Sequence, residues 1–257
     1  MSEDLSFALD LADLADSLTL PRFRSPDLRV ERKPNLTLVT DVDKDVERRL
    51  RDRIAEARPG ESVVGEELED QPGTAGDARW ILDPIDGTHN YLRGIPGFAT
   101  LIAVEREGVL TAAVASAPAL GRRWWAARGE GALADGVPIH VSTISRVEEA
   151  TFCYTDPIDF DHHGLFEPFL SLARRAWRTR GFGDFWQHCL VAEGAVDVAI
   201  EPDLNLWDVA AVKLIVEEAG GRVTNLAGDS RLAPGSTVTS NGLLHEEVLA
   251  IMSGKEG

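Results

Sequence analysis

Apolar residues recur every three or four positions over residues 3–20, at Leu5, Leu9, Ala12 and Leu18, a spacing that lines one face of a helix. A Pro- and Arg-bearing stretch, Pro21 to Pro34, interrupts the pattern. The helical spacing returns from near Thr40, with Val42, Val46, Leu50, Ile54 and Ala57 on one stripe, until Pro59-Gly60 stops it. Ser62 to Gly65 then predicts a short strand running into Glu66-Glu67, and residues 68–78 an acidic loop. Trp80-Ile81-Leu82 predicts a buried strand that stops at Asp83-Pro84, because proline has no N–H to offer a neighbouring strand. Three β-rich runs follow, Phe98 to Glu105, Val109 to Ala117 and Arg122 to Arg128, with a short strand near Ile139. The short turns between them, Glu107-Gly108 among them, favour antiparallel neighbours.

After about residue 150 the style changes to strands, Thr151–Tyr154 and Val196–Ile200, alternating with helices. The helices are predicted near Gly164–Ala173, Asp184–Glu193, Leu206–Ala219 and Leu244–Met252, with Gly220-Gly221 closing the third in a left-handed conformation. The pattern predicts one unit over residues 1–257, of class α+β, without a long linker or an internal repeat. An N-terminal α+β part, residues 1–148, packs with a C-terminal α/β part, residues 149–257.

Charge narrows the function. Lys and Arg number 26 against 43 Asp and Glu, a net charge of −17. Such a surface repels nucleic-acid phosphates and anionic membranes. An anionic substrate would need a positive group added to the site, and a divalent metal is the obvious one. Two cysteines, Cys153 and Cys189, make neither a CxxC motif nor a disulfide framework. The acidic start, Met1-Ser2-Glu3-Asp4, is unlike a signal peptide, and no apolar run approaches the roughly 18 residues of a membrane span. A reduced, cytoplasmic protein is the expectation.

The chemistry concentrates in Asp83-Pro84-Ile85-Asp86-Gly87-Thr88-His89-Asn90. Two carboxylates three residues apart stand at a strand end, with the Ile85 carbonyl between them and Gly87 allowing a tight turn. Hard oxygen ligands beside the Gly87 and Thr88 N–H groups suit Mg²⁺ plus a phosphate. A bare Asx turn holding two acids is the alternative. Asp41-Val42-Asp43-Lys44-Asp45 is no calcium loop, because the position that needs glycine is Val46. His162-His163 reads as a solvated loop, and His89, His140, His188 and His245 as surface or satisfied core positions. No P-loop, Gly-x-Ser-x-Gly elbow or dinucleotide fingerprint is present.

The octet resembles the signature of the inositol monophosphatase superfamily of Mg²⁺-dependent phosphatases. Gly65-Glu66-Glu67, Thr40-Asp41-Val42-Asp43, Leu206-Trp207-Asp208-Val209-Ala210-Ala211 and Glu218-Ala219-Gly220-Gly221 match its other motifs in order. The resemblance implies a layered αβαβα sandwich, a homodimer and two to three Mg²⁺ ions per site. It implies Glu66, Asp83 and the Ile85 carbonyl as ligands of the first metal, and Asp83, Asp86 and Asp208 of the second. Glu66 would touch a third, weaker metal. Thr88 with Asp43 would orient or deprotonate the attacking water, with Glu66 joining them as a catalytic group. Glu66, Ile85, Asp86, Gly87, Thr88 and Asp208 would meet the substrate phosphate. Two bland readings stay open: Thr40 with Asp43, and Asn205 with Asp208, also fit helix caps.

Gly183-Asp184-Phe185 followed by Trp186-Gln187-His188, and Arg123-Trp124-Trp125-Ala126-Ala127-Arg128-Gly129, look like the histidinol-phosphate phosphatase branch of that superfamily, found in actinobacteria. Asp184 and Glu201 stand where the family selects the alcohol. Histidinol phosphate carries an ammonium and an imidazole, for which two acids are fitting partners. Asp184 as a helix N-cap and Glu201 as a solvent-facing acid are the alternatives. The expected reaction is hydrolysis of histidinol phosphate in histidine biosynthesis. An inositol or sugar monophosphatase, or a non-catalytic acidic binding protein, are the competing readings. Trp124-Trp125 fits a dimer interface or the core equally, and Trp207 fits the core.

Overall fold

Successive residues of Trp80-Ile81-Leu82 enter different cores: Trp80 and Leu82 pack on one side of their strand and Ile81 on the other. The computed structural model, which describes residues 2–32, 38–74 and 78–254, explains this by covering both faces of the central sheet. That sheet has seven strands lying side by side in chain order: Ser62–Gly65, Ala78–Asp86, Ala99–Arg106, Val109–Ala117, Arg122–Ala127, Gly131–Ala134 and Val137–Ile139. The first pair is parallel and every later pair antiparallel, as the short turns predict.

On one face lie the helices Glu3–Thr19 and Asp41–Ala57, whose Leu5, Leu11, Val46 and Leu50 meet Trp80, Leu82, Ile102 and Val104. The opposite face is lined by small residues, Ala99, Ala103, Ala113 and Ala115, so the helix Leu206–Glu218 can approach closely, with Asp184–Ala192 packed beside it. Leu206–Glu218 is buried on nearly all sides because a second sheet covers it. That sheet runs in the order Arg178–Arg180, Thr151–Tyr154, Val198–Leu204, Gly235–Ser240, Arg222–Thr224. Its outer face carries Phe166–Arg175 and His245–Met252, packed through Phe152, Phe169, Leu172, Val248 and Ile251. The layers are helix, sheet, helix, sheet, helix, the αβαβα sandwich that the resemblance implies.

Several expectations need correction. The strand at Trp80 does not stop at Pro84. It runs to Asp86, and a shift of register between Asp83 and Asp86 absorbs the proline before Asp86 pairs with Ala99. Gly164 does not begin a helix; at φ +69° it separates Pro157–His162 from Phe166–Arg175, so His162 ends a helix rather than lying in a loop. The strand expected over Val196–Ile200 is Val198–Leu204. Arg178–Arg180, Arg222–Thr224 and Gly235–Ser240 carry no alternation long enough to announce them. Gly220 does close its helix with a positive φ, and the Gly221 N–H reaches back 2.9 Å to the Val216 carbonyl. Trp124 is core, edge-on to Phe185 at 6.0 Å, and Trp207 packs partly buried against the same cluster. Of the stretch to Pro34 and the loop 68–78, residues 33–37 and 75–77 lie outside the described residues.

Candidate active site

Five stretches of the chain meet in a cavity of about 260 Å³ at the strand ends. Glu66 comes from just past Ser62–Gly65; Asp83, Ile85, Asp86, Gly87 and Thr88 from the bulged strand and the turn after it. Asp184 and His188 come from one face of the helix Asp184–Ala192, Glu201 from the small sheet, and Asp208 from the first turn of Leu206–Glu218. Asp83, Asp86 and Asp208 each offer a carboxylate oxygen, and these three atoms lie within 4.8 Å of one another.

Each of these acids is anchored through one oxygen. Asp83 Oδ1 accepts the Ile85 N–H at 3.0 Å. Asp86 Oδ2 accepts the Phe185 N–H at 2.6 Å, which pins the start of a distant helix onto the motif. Asp208 Oδ2 accepts the Asn205 N–H at 2.7 Å, completing a capping box. The second oxygen of Asp83 is buried without a hydrogen-bond partner. Burial, then the neighbouring Glu66, Asp86 and Asp208, push the Asp83 carboxyl well above the usual carboxylate range. Burial and the nearby Asp184 and Asp208 do the same to Asp86, and burial raises Asp208 to about 6. Crowded hard oxygens with an orphaned buried lone pair are what a small divalent cation needs, so the residues present fit Mg²⁺. Capping and metal binding do not compete at Asp208, because the cap occupies only one oxygen.

Asp43 repeats the arrangement. It is fully buried and its Oδ2 accepts the Thr40 N–H at 2.9 Å and the Thr40 hydroxyl, a complete capping box. Its Oδ1 faces Thr88 Oγ1 at 3.3 Å, and that hydroxyl also reaches the Ile85 carbonyl at 3.0 Å. Burial raises Asp43 to about 6, with Glu66 adding to the rise. Gly87 stands at φ +80°, and a Cβ there would meet the Gly97 carbonyl at 2.9 Å, so the turn that presents Thr88 requires glycine.

Two more acids line the same cavity and are held differently. Glu201 is buried, not solvent-facing, and one of its oxygens receives the Thr155 hydroxyl and the Gln187 amide. Burial holds it well above the usual glutamate range. Asp184 is not an N-cap: Gly183 is, with no side-chain cap bond. Asp184 adopts φ +51°, and its Oδ2 accepts from the Asn90 amide at 2.9 Å, which also donates to the Gly97 carbonyl at 2.8 Å. Burial and Asp208 raise it to about 6. His188 is fully buried, its Nδ1 2.8 Å from Thr239 Oγ1 and its Nε2 without a partner, and burial lowers it to about 4. Sequence reading set His188 aside, yet it sits four residues after Asp184, one helical turn away on the same face. Thr155 had no such signal. His245 is a satisfied core residue, held by Thr224 and Ser240, while His89, His140, His162 and His163 are exposed.

The sequence model of the inositol monophosphatase family matches residues 1–255. A histidinol-phosphatase of Mycobacterium tuberculosis is 49% identical over 252 residues, covering 96% of this chain and 96% of its own length. A histidinol-phosphatase of Streptomyces coelicolor is 46% identical, covering 98% of this chain and 97% of its own. Among solved structures, a Thermotoga maritima inositol monophosphatase superposes with a TM-score of 0.89 at 32% identity, covering 98% of both chains.

Proposed function

The chain belongs to the inositol monophosphatase family and is a phosphatase, and from that premise we propose that its substrate is histidinol phosphate, hydrolysed to histidinol and phosphate. The observation that carries the proposal is that one cavity holds two kinds of acid. Asp83, Asp86 and Asp208 crowd together, while Asp184 and Glu201 line the same cavity beside them. The family is Mg²⁺-dependent, and bound Mg²⁺ supplies positive charge against the phosphate and acidifies a water molecule.

In this reading Glu66, Asp83 and the Ile85 carbonyl hold one ion, Asp83, Asp86 and Asp208 a second, and Glu66 a weaker third. The Gly87 and Thr88 N–H groups, at the start of Thr88–Arg93, face the phosphate oxygens. Thr88 orients the attacking water through its hydroxyl. The water's proton passes by way of Thr88 Oγ1 to Asp43 Oδ1, a carboxylate whose raised pKa suits it to act as base near neutrality. Asp184 and Glu201 pair with the ammonium and imidazole of the alcohol. The part up to residue 148 then carries most of the phosphate end, and residues 149–257 the alcohol end together with Asp208.

A homodimer serving histidine biosynthesis, which rests on the family resemblance, and a cytoplasmic location, which rests on the unpaired cysteines Cys153 and Cys189, complete the reading. Phosphate release from histidinol phosphate and from inositol phosphate, at equal concentration with and without Mg²⁺, tests the whole. Mg²⁺-dependent release that favours histidinol phosphate is expected. Equal release from both esters would leave a broad monophosphatase, and no release from either would leave a binding protein.

A further inference from the structure

The helix Asp41–Ala57 presents Asp43, Glu47 and Arg51 at four-residue spacing, one stripe along its surface. Asp43 is explained by its contact with Thr88. Glu47 and Arg51 lie outside the cavity, yet they are buried, at 0% and 7% exposure. Arg51 Nε donates to Glu47 Oε1 at 2.8 Å, and Nη2 stands 2.7 Å from the same oxygen as an ion pair. A pair this deep loses much of its attraction to desolvation, so its contacts with the rest of the chain matter more than its own bond.

Those contacts fall on the strand Ser62–Gly65 and the turn that follows it. The Glu47 carboxylate accepts the Glu67 N–H at 2.7 Å and the Leu68 N–H at 3.2 Å. Arg51 donates to the carbonyls of Val63, Leu68 and Glu69 at 3.5, 3.2 and 3.1 Å. The main chain is thus gripped on both sides of Glu66. Gly65 confirms how close the grip is, because a Cβ there would collide with the Glu47 carboxylate. The glycine before Glu66 is therefore explained by the approach of Glu47, which a side chain at position 65 would block.

We propose that Glu47 and Arg51 are positioning residues for Glu66: they hold the turn over residues 65–69 so that the Glu66 carboxylate stands at the cavity beside Asp83, and the affinity of the site for Mg²⁺ depends on them. This rests on the reading of Glu66 as a metal ligand. Neither residue touches the cavity, so the effect passes entirely through the turn.

Calorimetric titration of the whole protein with Mg²⁺, without substrate, tests this on wild type, Glu47→Gln, Arg51→Lys and Gly65→Ala, and on Glu66→Gln with and without Glu47→Gln. Loss of an outer partner of a metal ligand typically weakens binding about 10- to 100-fold, and that loss is expected for Glu47→Gln. Arg51→Lys keeps the charge but loses the fork that reaches three carbonyls, and a smaller loss is expected. Gly65→Ala displaces Glu47 with both charges intact and should reproduce the defect. In the Glu66→Gln background, Glu47→Gln should cost nothing more, because its route to the metal is already cut.

A folded Glu47→Gln protein with a lower melting temperature but wild-type Mg²⁺ affinity would reduce the pair to a structural role and overturn the proposal. So would losses that simply add in the double variant. If Glu47→Gln does not fold, wild-type affinity in both Arg51→Lys and Gly65→Ala overturns it instead. A wild-type protein that binds no Mg²⁺ defeats the functional reading itself, an outcome visible before any variant is made.

Discussion

The acids proposed to serve the phosphate and those proposed to serve the alcohol are held in opposite ways. For the phosphate end of that reading, Asp83, Asp208 and Asp43 each tie one oxygen to a main-chain N–H within three residues of themselves, at Ile85, Asn205 and Thr40. For its alcohol end the anchors are side chains from elsewhere: Thr155, 46 residues from Glu201, and Asn90, 94 residues from Asp184. Backbone anchors set a carboxylate's direction through a local turn and leave its second oxygen to a ligand. Side-chain anchors depend on how layers of the sandwich meet. The first set is therefore placed mostly by local sequence, and the second by how the layers of the sandwich pack. Asp86 is the joint between them, because its anchor is the N–H of Phe185, the residue after Asp184.

The comparison can be broken first at its phosphate end. Asp83→Asn removes the carboxylate shared by both proposed ions while leaving the Ile85 turn able to form. Metal stabilisation of transition-state charge is worth several kcal/mol, so kcat should fall at least about a thousandfold for every ester. Phosphate release by a protein with an unchanged circular-dichroism spectrum measures this, and near-normal turnover would remove the metal model.

A smaller and more selective effect belongs to the other end. Asp184→Asn and Glu201→Gln should lower kcat/KM for histidinol phosphate by about one to two orders of magnitude, as expected for losing a charged hydrogen bond of roughly 1.5–3 kcal/mol. Hydrolysis of a small neutral phosphate ester should change little, and Mg²⁺ affinity little in Glu201→Gln. Parallel losses on both esters would mean that the two ends are not separable.

The smallest effect is on stability, and it sharpens the comparison by pH. Asp43 and Asp208, raised to about 6 from an ordinary 3.8, bind protons more tightly folded than unfolded. Their stabilising contribution is complete below about pH 4 and is lost as pH rises through 6. His188 and His245, lowered to about 4 from 6.5, act in the opposite sense: their contribution is present above 6.5 and lost as pH falls toward 4. Mg²⁺ relieves the acids and leaves the histidines alone. The melting midpoint with Mg²⁺ minus that with EDTA should therefore widen with pH. Mg²⁺ at 100 times its Kd adds about 2.7 kcal/mol, roughly 5–10 °C at pH 7.5 for a chain of this size, and the gap should shrink by at least half at pH 5. A gap independent of pH would contradict the crowding of acids at the phosphate end.

What the sequence determined by itself follows from the range of each interaction. Helices such as Glu3–Thr19 and Asp41–Ala57, the antiparallel hairpins, and the Gly220 cap are written in spacing and turn residues that act over a few positions. Asp83, Asp208 and Asp43 are legible for the same reason, since their anchors lie in the same short motifs, whereas Asp86 is anchored by the distant Phe185. Only the tertiary structure decided the rest. The bulge that carries the strand past Pro84 needs the partner strand Ala99–Arg106 to resume pairing. The short strands Arg178–Arg180 and Arg222–Thr224 exist because neighbouring strands supply their hydrogen bonds. Whether Asp184 capped a helix and whether Glu201 faced solvent depended on Asn90, Thr155 and Gln187. The grip of Glu47 and Arg51 on the turn at Glu66 also forms only once the helix packs on the sheet. No local pattern marks such pairs, because burial and contact between residues tens of positions apart are properties of the packed layers, not of any one segment.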